Sequence, residues 1–137
     1  GFGTAGTAFL GISSAEVANS MALQNDGKIV VAGSAGAQIL VARYLTTGVL
    51  DTSFASQGYA IFNDYVSAGA TSVLLDSNQK IVLAGYVCFG SIVSRLNADG
   101  SFDGTFGTGG LVLNPIGSFV CAGVAGATGP TGPIGPT

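Results

Sequence analysis

Short apolar runs alternate with turn-forming segments along most of the chain, and the lengths of both indicate β-strands. The Asn-Asp-Gly sequence at 25–27 supplies the positive φ angles that a tight hairpin requires. No stretch carries helical periodicity over a useful length, so we predict an all-β fold. The predicted strands lie near residues 17–23, 28–33, 39–44, 58–62, 71–75, 80–86, 91–96 and 110–113.

This pattern repeats after 52 residues without insertion or deletion. The offset carries Lys-Ile-Val-Val-Ala-Gly at 28–33 onto Lys-Ile-Val-Leu-Ala-Gly at 80–85. Two units of four strands are therefore predicted, and because such a unit cannot bury both of its faces alone, it is typical of a propeller blade. The offset also relates Phe2 to Phe54 and Phe106, Gly6 to Gly58 and Gly110, Ser20 to Ser72, Leu23 to Leu75, Arg43 to Arg95, Gly48 to Gly100, and Asp51 to Asp103.

Three stretches carry a resemblance to a known family: ALQNDGKIVVAGS at 22–34, ARY at 42–44 and RLNADGSFDGTFGTGG at 95–110. They resemble the delta-60 repeat, a bacterial repeat family associated with β-propellers. The resemblance covers about residues 2–113, although 45–59 is a looser copy and DSNQK at 76–80 lacks the Asp-Gly pair. It implies a propeller architecture and no particular activity.

The end of the chain has a different period, with glycine in every third position. Only glycine fits at the crowded axis of a collagen triple helix, so we predict a collagen-like segment over 120–137 after a propeller domain over 1–119. Its Gly-Pro-Thr triplets resemble collagen-like proteins of bacteria and giant viruses. A flexible linker is the alternative. The glycines are Gly123, Gly126, Gly129, Gly132 and Gly135.

The number of blades and the tail together predict an assembly. Two blades do not close a ring, because propellers have about 4 to 8 blades, whereas three chains would supply both six blades and a triple helix. We therefore predict a homotrimer that completes one six-bladed propeller with closed cyclic symmetry. Residues 6–10 are in register with 58–62 and 110–113, which makes nine candidate strands for eight places. One terminal copy is expected to pair with a neighbouring chain and the other to lead to the stalk. The sequence does not assign these two roles to particular ends of the chain.

Composition excludes several classes of partner. Charged residues make up only 8% of the chain, and the four basic residues are too few and too scattered to neutralise a nucleic-acid backbone. No apolar run reaches the roughly 20 residues of a membrane helix, so neither a membrane span nor a signal peptide is predicted. The chain starts without methionine and stops within a repeat, so we expect it to be part of a longer protein. The basic residues are Lys28, Arg43, Lys80 and Arg95.

No set of residues typical of catalysis is present. The sequence has no histidine, and hence no Ser-His-Asp set, and neither a phosphate-binding loop nor a Cys-x-x-Cys pair. We predict no enzyme activity, no cofactor and no metal site. Asn97, Asp99, Ser101 and Asp103 place oxygen donors at alternate positions, as calcium loops do, but a hairpin or Asx turn explains them more simply.

Two pairs of opposite charges recur at one spacing. Arg43 and Asp51 are eight residues apart, as are Arg95 and Asp103. A residue that recurs in both units is more often architectural than catalytic, so we predict ion pairs that hold the loop after the third strand of each unit.

Cys88 and Cys121 permit one disulfide within a chain or between chains, with two free buried thiols as the alternative. Cys121 lies two residues before the first tail glycine, so a bridge to Cys88 would fasten a blade to the stalk. Such a bridge would require an oxidising environment.

Residues that break the repeat are the candidates for ligand binding. An aromatic face beside carboxylate or amide groups is typical of sugar sites, and loop packing is the alternative. We expect the head or node of a trimeric collagen-like fibre, outside the cell on a cell, spore or virion surface. The other candidate is an adhesin that binds surface glycans or a host-cell receptor on the same scaffold. The candidate ligand residues are Tyr59, Asn63, Asp64, Tyr65 and Tyr86.

Overall fold

The chain folds into two four-stranded antiparallel sheets in which each strand pairs with the next. A computed structural model describes residues 1–65 and 67–115, and these ranges contain no helix. No helix that could cross a membrane is therefore found in the described ranges. The first sheet, blade 1, contains β1 (Glu16–Leu23), β2 (Ile29–Ala35), β3 (Gln38–Tyr44) and β4 (Tyr59–Phe62). The second, blade 2, contains β5 (Gly69–Leu75), β6 (Ile81–Val87), β7 (Gly90–Leu96) and β8 (Leu111–Pro115).

These sheets confirm the all-β prediction and have the form of propeller blades. Each observed strand overlaps a predicted one, because the turns between strands are set by local residues. In the first hairpin, Asp26 Oδ1 accepts a hydrogen bond of 3.1 Å from the Lys28 N–H. In the equivalent turn of blade 2, Asp76 Oδ1 accepts from the Asn78 and Lys80 N–H groups at 2.8 and 3.0 Å. The turn keeps its form without the Asp-Gly pair, because Gln79 adopts the positive φ of 62° that corresponds to 82° at Gly27.

Both blades carry a β-bulge in the first strand. The register shifts between Ala18 and Ser20 in blade 1, and between Ala70 and Ser72 in blade 2. A glycine of the second strand faces each bulge: a Cβ on Gly33 would lie 1.8 Å from the Val17 carbonyl oxygen. A Cβ on the equivalent Gly85 would lie 2.2 Å from a backbone oxygen. The glycine that ends each Lys-Ile-Val motif is therefore required by close backbone approach.

The hydrophobic core lies between the two blades, where β5 packs on β1 and β2. From blade 1, the side chains of Val30, Ala32 and Val41 face this core and are at most 1% exposed. From blade 2, Val73 and Leu83 face them and are 5% and 2% exposed. Burial of these apolar groups is the main force that holds one blade on the other.

Several equivalent residues on the outward faces of the blades are more exposed. Met21, the repeat counterpart of Val73, is 56% exposed. Val82 and Val93, the counterparts of the fully buried Val30 and Val41, are only partly buried. Each blade therefore has a face that packs on a neighbouring blade, and within the described residues only one such contact is made.

The N-terminal copy of the last strand does not form a strand. Residues 6–10 instead lie across the outward face of blade 1, where Ala8, Phe9 and Leu10 line a cavity of about 190 Å³ together with Leu40. Of the nine candidate strands for eight places, the C-terminal copy takes the eighth place, because it forms β8 and completes blade 2. A ladder partner for 6–10 would be the third strand of a preceding blade, which the described ranges do not include.

Residues 116–137 lie outside the described residues. They contain Cys121 and the five glycines with a period of three. The collagen-like segment and the domain boundary at residue 119 therefore stay predictions.

Candidate functional site

The most regular polar feature of both blades lies where the third strand ends. Arg43 Nε donates to Asp51 Oδ2 at 2.8 Å, and Arg95 Nε donates to Asp103 Oδ2 at 2.7 Å. The structure thus contains both of the ion pairs that the spacing suggested. The paired residues of blade 1 are also joined through the backbone, since the Asp51 N–H donates to the Arg43 carbonyl at 2.9 Å. Each pair closes the long loop between the third and fourth strands.

The second oxygen of each aspartate orders the start of the following turn. Asp51 Oδ1 accepts from the Ser53 N–H at 3.1 Å and from its hydroxyl at 2.6 Å. Asp103 Oδ1 accepts from the same two groups of Thr105 at 3.1 and 2.6 Å. Both oxygens of each carboxylate are therefore occupied by hydrogen bonds within the blade.

A phenylalanine covers the guanidinium in each blade. The Cζ atom of Arg43 lies 4.8 Å from the centre of the Phe54 ring, and that of Arg95 lies 4.8 Å from the centre of the Phe106 ring. This geometry is that of a cation–π contact. We call the Arg-Asp-Phe set, together with the serine or threonine, the loop anchor.

Sequence reasoning missed a lysine in each loop anchor. Lys80 Nζ donates to Asp103 Oδ2 at 2.7 Å, and Lys28 Nζ lies 3.5 Å from Asp51 Oδ2. The lysine immediately before the second strand and the arginine on the third strand recur with one offset, and these two strands are neighbours. That shared recurrence was the signal that could have placed them together.

The loop anchors lower the pKa of both aspartates. Hydrogen bonds from Lys80 and then from Thr105 hold the pKa of Asp103 well below its ordinary value of 3.8. Burial alone would raise the pKa of Asp51, but hydrogen bonds from Ser53 and the charge of Arg43 outweigh it, so this pKa is also lowered. Both carboxylates are consequently ionised at neutral pH.

We expect the stability of the chain to fall as the pH drops below about 4. Because the Asp103 pKa is lower in the folded state than its ordinary 3.8, the stabilisation is fully present above that value. It is lost as the pH falls toward the folded pKa, since the unfolded chain then binds more protons. Melting temperatures measured from pH 6 to pH 2 should show this decline, with a shallower slope in Asp103→Asn. Parallel curves for the two proteins would contradict the assignment.

A polar cleft of about 440 Å³ follows the junction of the two blades. Arg43 Nη1 donates to the Ala98 carbonyl at 2.6 Å, which connects the loop anchor of blade 1 to blade 2. The Asn25 N–H donates to Gln79 Oε1 at 2.8 Å across the same junction. The cleft is therefore lined by groups that join the blades. The described residues contain no cluster of acidic or sulfur side chains that could hold a metal ion.

The segment with alternating oxygen donors forms an Asx turn. Asp99 Oδ1 accepts from the Ser101 N–H at 2.9 Å and from its hydroxyl at 2.6 Å. Asn97 Nδ2 donates to the same hydroxyl at 3.0 Å. The side chains of Asn97, Asp99 and Ser101 are therefore hydrogen-bonded to one another within the turn, as expected for an Asx turn.

The candidate ligand residues do not form one cluster. Tyr59 and Asn63 line a shallow cleft of about 340 Å³ on the edge of blade 1, next to the exposed Asp64. Tyr65, in contrast, is only 5% exposed and belongs to the hydrophobic core, so its ring is not available for stacking on a sugar. Tyr86 lies on β6 of blade 2 and is 48% exposed, with its ring against Gly69.

Cys88 lies in the turn between β6 and β7 and packs against the core. Its proposed partner Cys121 is outside the described residues. The bridge between them stays a prediction.

Parts of both repeat units match one family model. The family model described as a domain of unknown function (DUF5122) beta-propeller matches residues 24–54 and 77–106. Each matched range contains the lysine, arginine, aspartate and phenylalanine of one loop anchor. The chain thus contains a propeller-type repeat domain. Comparison with curated proteins and with solved structures gave no match.

Proposed function

We propose that this chain is a structural component, the head or node of a trimeric collagen-like fibre on a cell, spore or virion surface. Three chains with two blades each complete a six-bladed propeller, and the segment with a glycine period of three continues as a triple helix. The observation that carries this proposal is the difference in exposure between equivalent faces of the two blades.

The outward face of blade 2 has the composition of an interface. Leu74, Val82, Ala84 and Val93 correspond by the repeat to residues of blade 1 that pack against blade 2. On blade 1, the outward Met21 and Leu23 are 56% and 60% exposed. Met21 and Leu23 correspond by the repeat to Val73 and Leu75, which pack on blade 1. A neighbouring chain could therefore place its Met21 and Leu23 on the outward face of blade 2. Repetition of one head-to-tail contact generates a ring when the rotation closes.

The polar groups favour a structural role over a chemical one. All four basic side chains serve the loop anchors, where their partners are aspartates of the same blade. The remaining charged residues are all acidic and are scattered along the chain: Glu16, Asp26, Asp64, Asp76 and Asp99. A protein of this kind suits a durable extracellular spacer, and a bridge from Cys88 to Cys121 would strengthen it.

The adhesin alternative has less support. Of the five candidate residues, the structure brings Tyr59 and Asn63 into one cleft, whereas Tyr65 belongs to the core. The Tyr59 hydroxyl already accepts a hydrogen bond of 2.8 Å from Gln57 Nε2. We therefore base the proposal on architecture and not on a glycan site.

We expect a solution mass of three times the chain mass of 13.4 kDa. The mass should be measured by sedimentation or light scattering, with and without residues 122–137. A trimer that survives removal of the tail would show that the propeller drives assembly, and a trimer that requires the tail would show that the collagen-like segment does.

Matched variants locate the interface. Met21→Lys, on the outward face of blade 1, should shift the shortened protein toward monomer because it places a charge in an apolar contact. Ser56→Lys, on the exposed loop before the edge strand β4, should leave the mass unchanged. A monomer in both lengths of the unmodified chain would overturn the trimeric ring.

A further inference from the structure

Three segments of the chain form the same five-residue turn, which begins with a phenylalanine and ends with a glycine. We call these segments straps: Phe2–Gly6, Phe54–Gly58 and Phe106–Gly110. In each, the N–H of the last glycine donates to the phenylalanine carbonyl, at 3.0, 2.7 and 2.9 Å respectively. The second residue of each strap has a φ of 50°, 52° and 53°, and the last a φ of 83°, 99° and 91°. The three straps therefore have one backbone conformation.

The strap of blade 1 docks on a turn of blade 2. The Ala55 N–H donates to the Asp99 carbonyl at 2.7 Å, and a Cβ on Gly100 would lie 2.8 Å from the Phe54 ring. Phe54 is fully buried in this position. The Asp99–Gly100 turn is thus the acceptor for a strap, and glycine is needed there because of the close approach of the ring and its positive φ of 92°.

The N-terminal strap docks in the same way on the equivalent turn of blade 1. The Gly3 N–H donates to the Thr47 carbonyl at 2.7 Å, and a Cβ on Gly48 would lie 3.0 Å from the Phe2 ring. Thr47–Gly48 is therefore a second acceptor, occupied by a segment of its own chain. The strap of blade 2, at Phe106, has no acceptor turn in the described residues, because its acceptor would belong to a following blade.

We propose that Thr47–Gly48 is a binding site for the Phe106–Gly110 strap of a second copy of this chain, and that Phe2–Gly6 occupies this site until the copy replaces it. The inference rests on the proposed ring, in which blade 2 of one chain meets blade 1 of the next. One acceptor holds one strap, so closing of the ring requires the N-terminal strap to leave.

The strap of the second copy has contacts that the N-terminal strap lacks. Phe54 and Phe106 each lie on an arginine of their own blade, whereas no such arginine contact to Phe2 is present among the described residues. Arg43 also donates to the Ala98 carbonyl of the blade that receives its strap. By the repeat, Arg95 of one chain would donate to the Thr46 carbonyl of the next. Its side chain is 26% exposed against 8% for Arg43, which leaves it accessible for that contact.

Association of the full chain tests this exchange. Phe2→Ala should strengthen association about tenfold, because the competing strap loses its ring, and Phe106→Ala should weaken it by about the same factor. The association constants of both variants and of the unmodified chain should be measured by sedimentation. Circular dichroism checks that each variant is folded. If Phe2→Ala leaves association unchanged or weakens it while the trimer persists, the exchange is overturned and the ring is not.

A cross-linking experiment locates the strap without loss of its ring. The photoreactive p-benzoylphenylalanine is placed at position 106 in ¹⁵N-labelled chains, which are mixed with unlabelled chains. Mass spectrometry should find cross-links from position 106 to residues 46–48 of the unlabelled chain. Cross-links between chains at other residues would overturn the site alone, and a monomer in every variant would overturn both the site and the proposed ring.

Discussion

Replacing Gly33 with alanine is expected to remove a large fraction of the stability of the fold. The new Cβ would lie 1.8 Å from the Val17 carbonyl oxygen, and both atoms belong to paired strands of the same sheet. Neither strand can shift without loss of the ladder at the bulge, so the cost should be about 3 kcal/mol, the upper end for an overpacked site. A loss of that size is a large fraction of the roughly 5 to 15 kcal/mol that stabilises an ordinary domain.

The chain offers a matched control for this substitution. A Cβ on Gly104 would meet no atom within 4 Å, and the equivalent position of blade 1 is Thr52. Gly104→Ala should therefore change the free energy of unfolding by no more than about 0.5 kcal/mol. Urea unfolding followed by circular dichroism compares the two variants. A Gly33→Ala protein as stable as the control would show that the strands at this bulge are not so closely paired.

The second large effect is expected for Arg43→Met. This substitution leaves the buried Asp51 with Lys28 at 3.5 Å as its remaining cation, and removes the hydrogen bond to the Ala98 carbonyl. Loss of one partner from a buried ion pair costs roughly 3 kcal/mol, because Asp51 stays buried with only the more distant Lys28 and the hydrogen bonds from Ser53 to balance its charge. The free energy of unfolding should fall accordingly, and the melting temperature with it.

Arg95→Met is the matched variant in blade 2, and a smaller loss is expected. Asp103 keeps Lys80 at 2.7 Å, and the Arg95 side chain is 26% exposed. Both variants should be unfolded at concentrations that keep the chain monomeric, and again at concentrations where it associates. The difference between them should narrow on association, since a neighbouring chain would then cover Arg95. Equal losses in the monomer would mean that the contact of Arg43 with blade 2 contributes no stability.

The arrangement of strands could be predicted from the sequence because its determinants are local. Alternating apolar residues, the Asp-Gly turn and the offset of 52 residues located all eight strands of the described residues. The spacing of eight residues between Arg43 and Asp51, which recurs in the second unit, predicted their ion pair, since a loop that recurs needs the same closing contact in both blades. The addition of Lys28 and Lys80 was missed because it depends on how neighbouring strands align.

The candidate ligand residues show where prediction from the sequence failed. Tyr65 lacks a counterpart in the other unit, which made it a candidate, yet it is buried in the core. A departure from the repeat marks a change of environment, and it does not tell whether the new environment is a surface or an interior. Only the packing of one blade on the other distinguishes the two.

The sequence by itself determined the period, the strands, the turns and the Arg-Asp pairs of the loop anchors, because each depends on neighbours along the chain or on a constant offset. Only the tertiary structure decided which of two equivalent faces is covered and which is not. Val30 and Val82 occupy the same place in the repeat, but Val30 is fully buried and Val82 is not. The reason is physical: burial depends on what packs against a face, and in this chain blade 1 has blade 2 as a neighbour, whereas the same face of blade 2 has none.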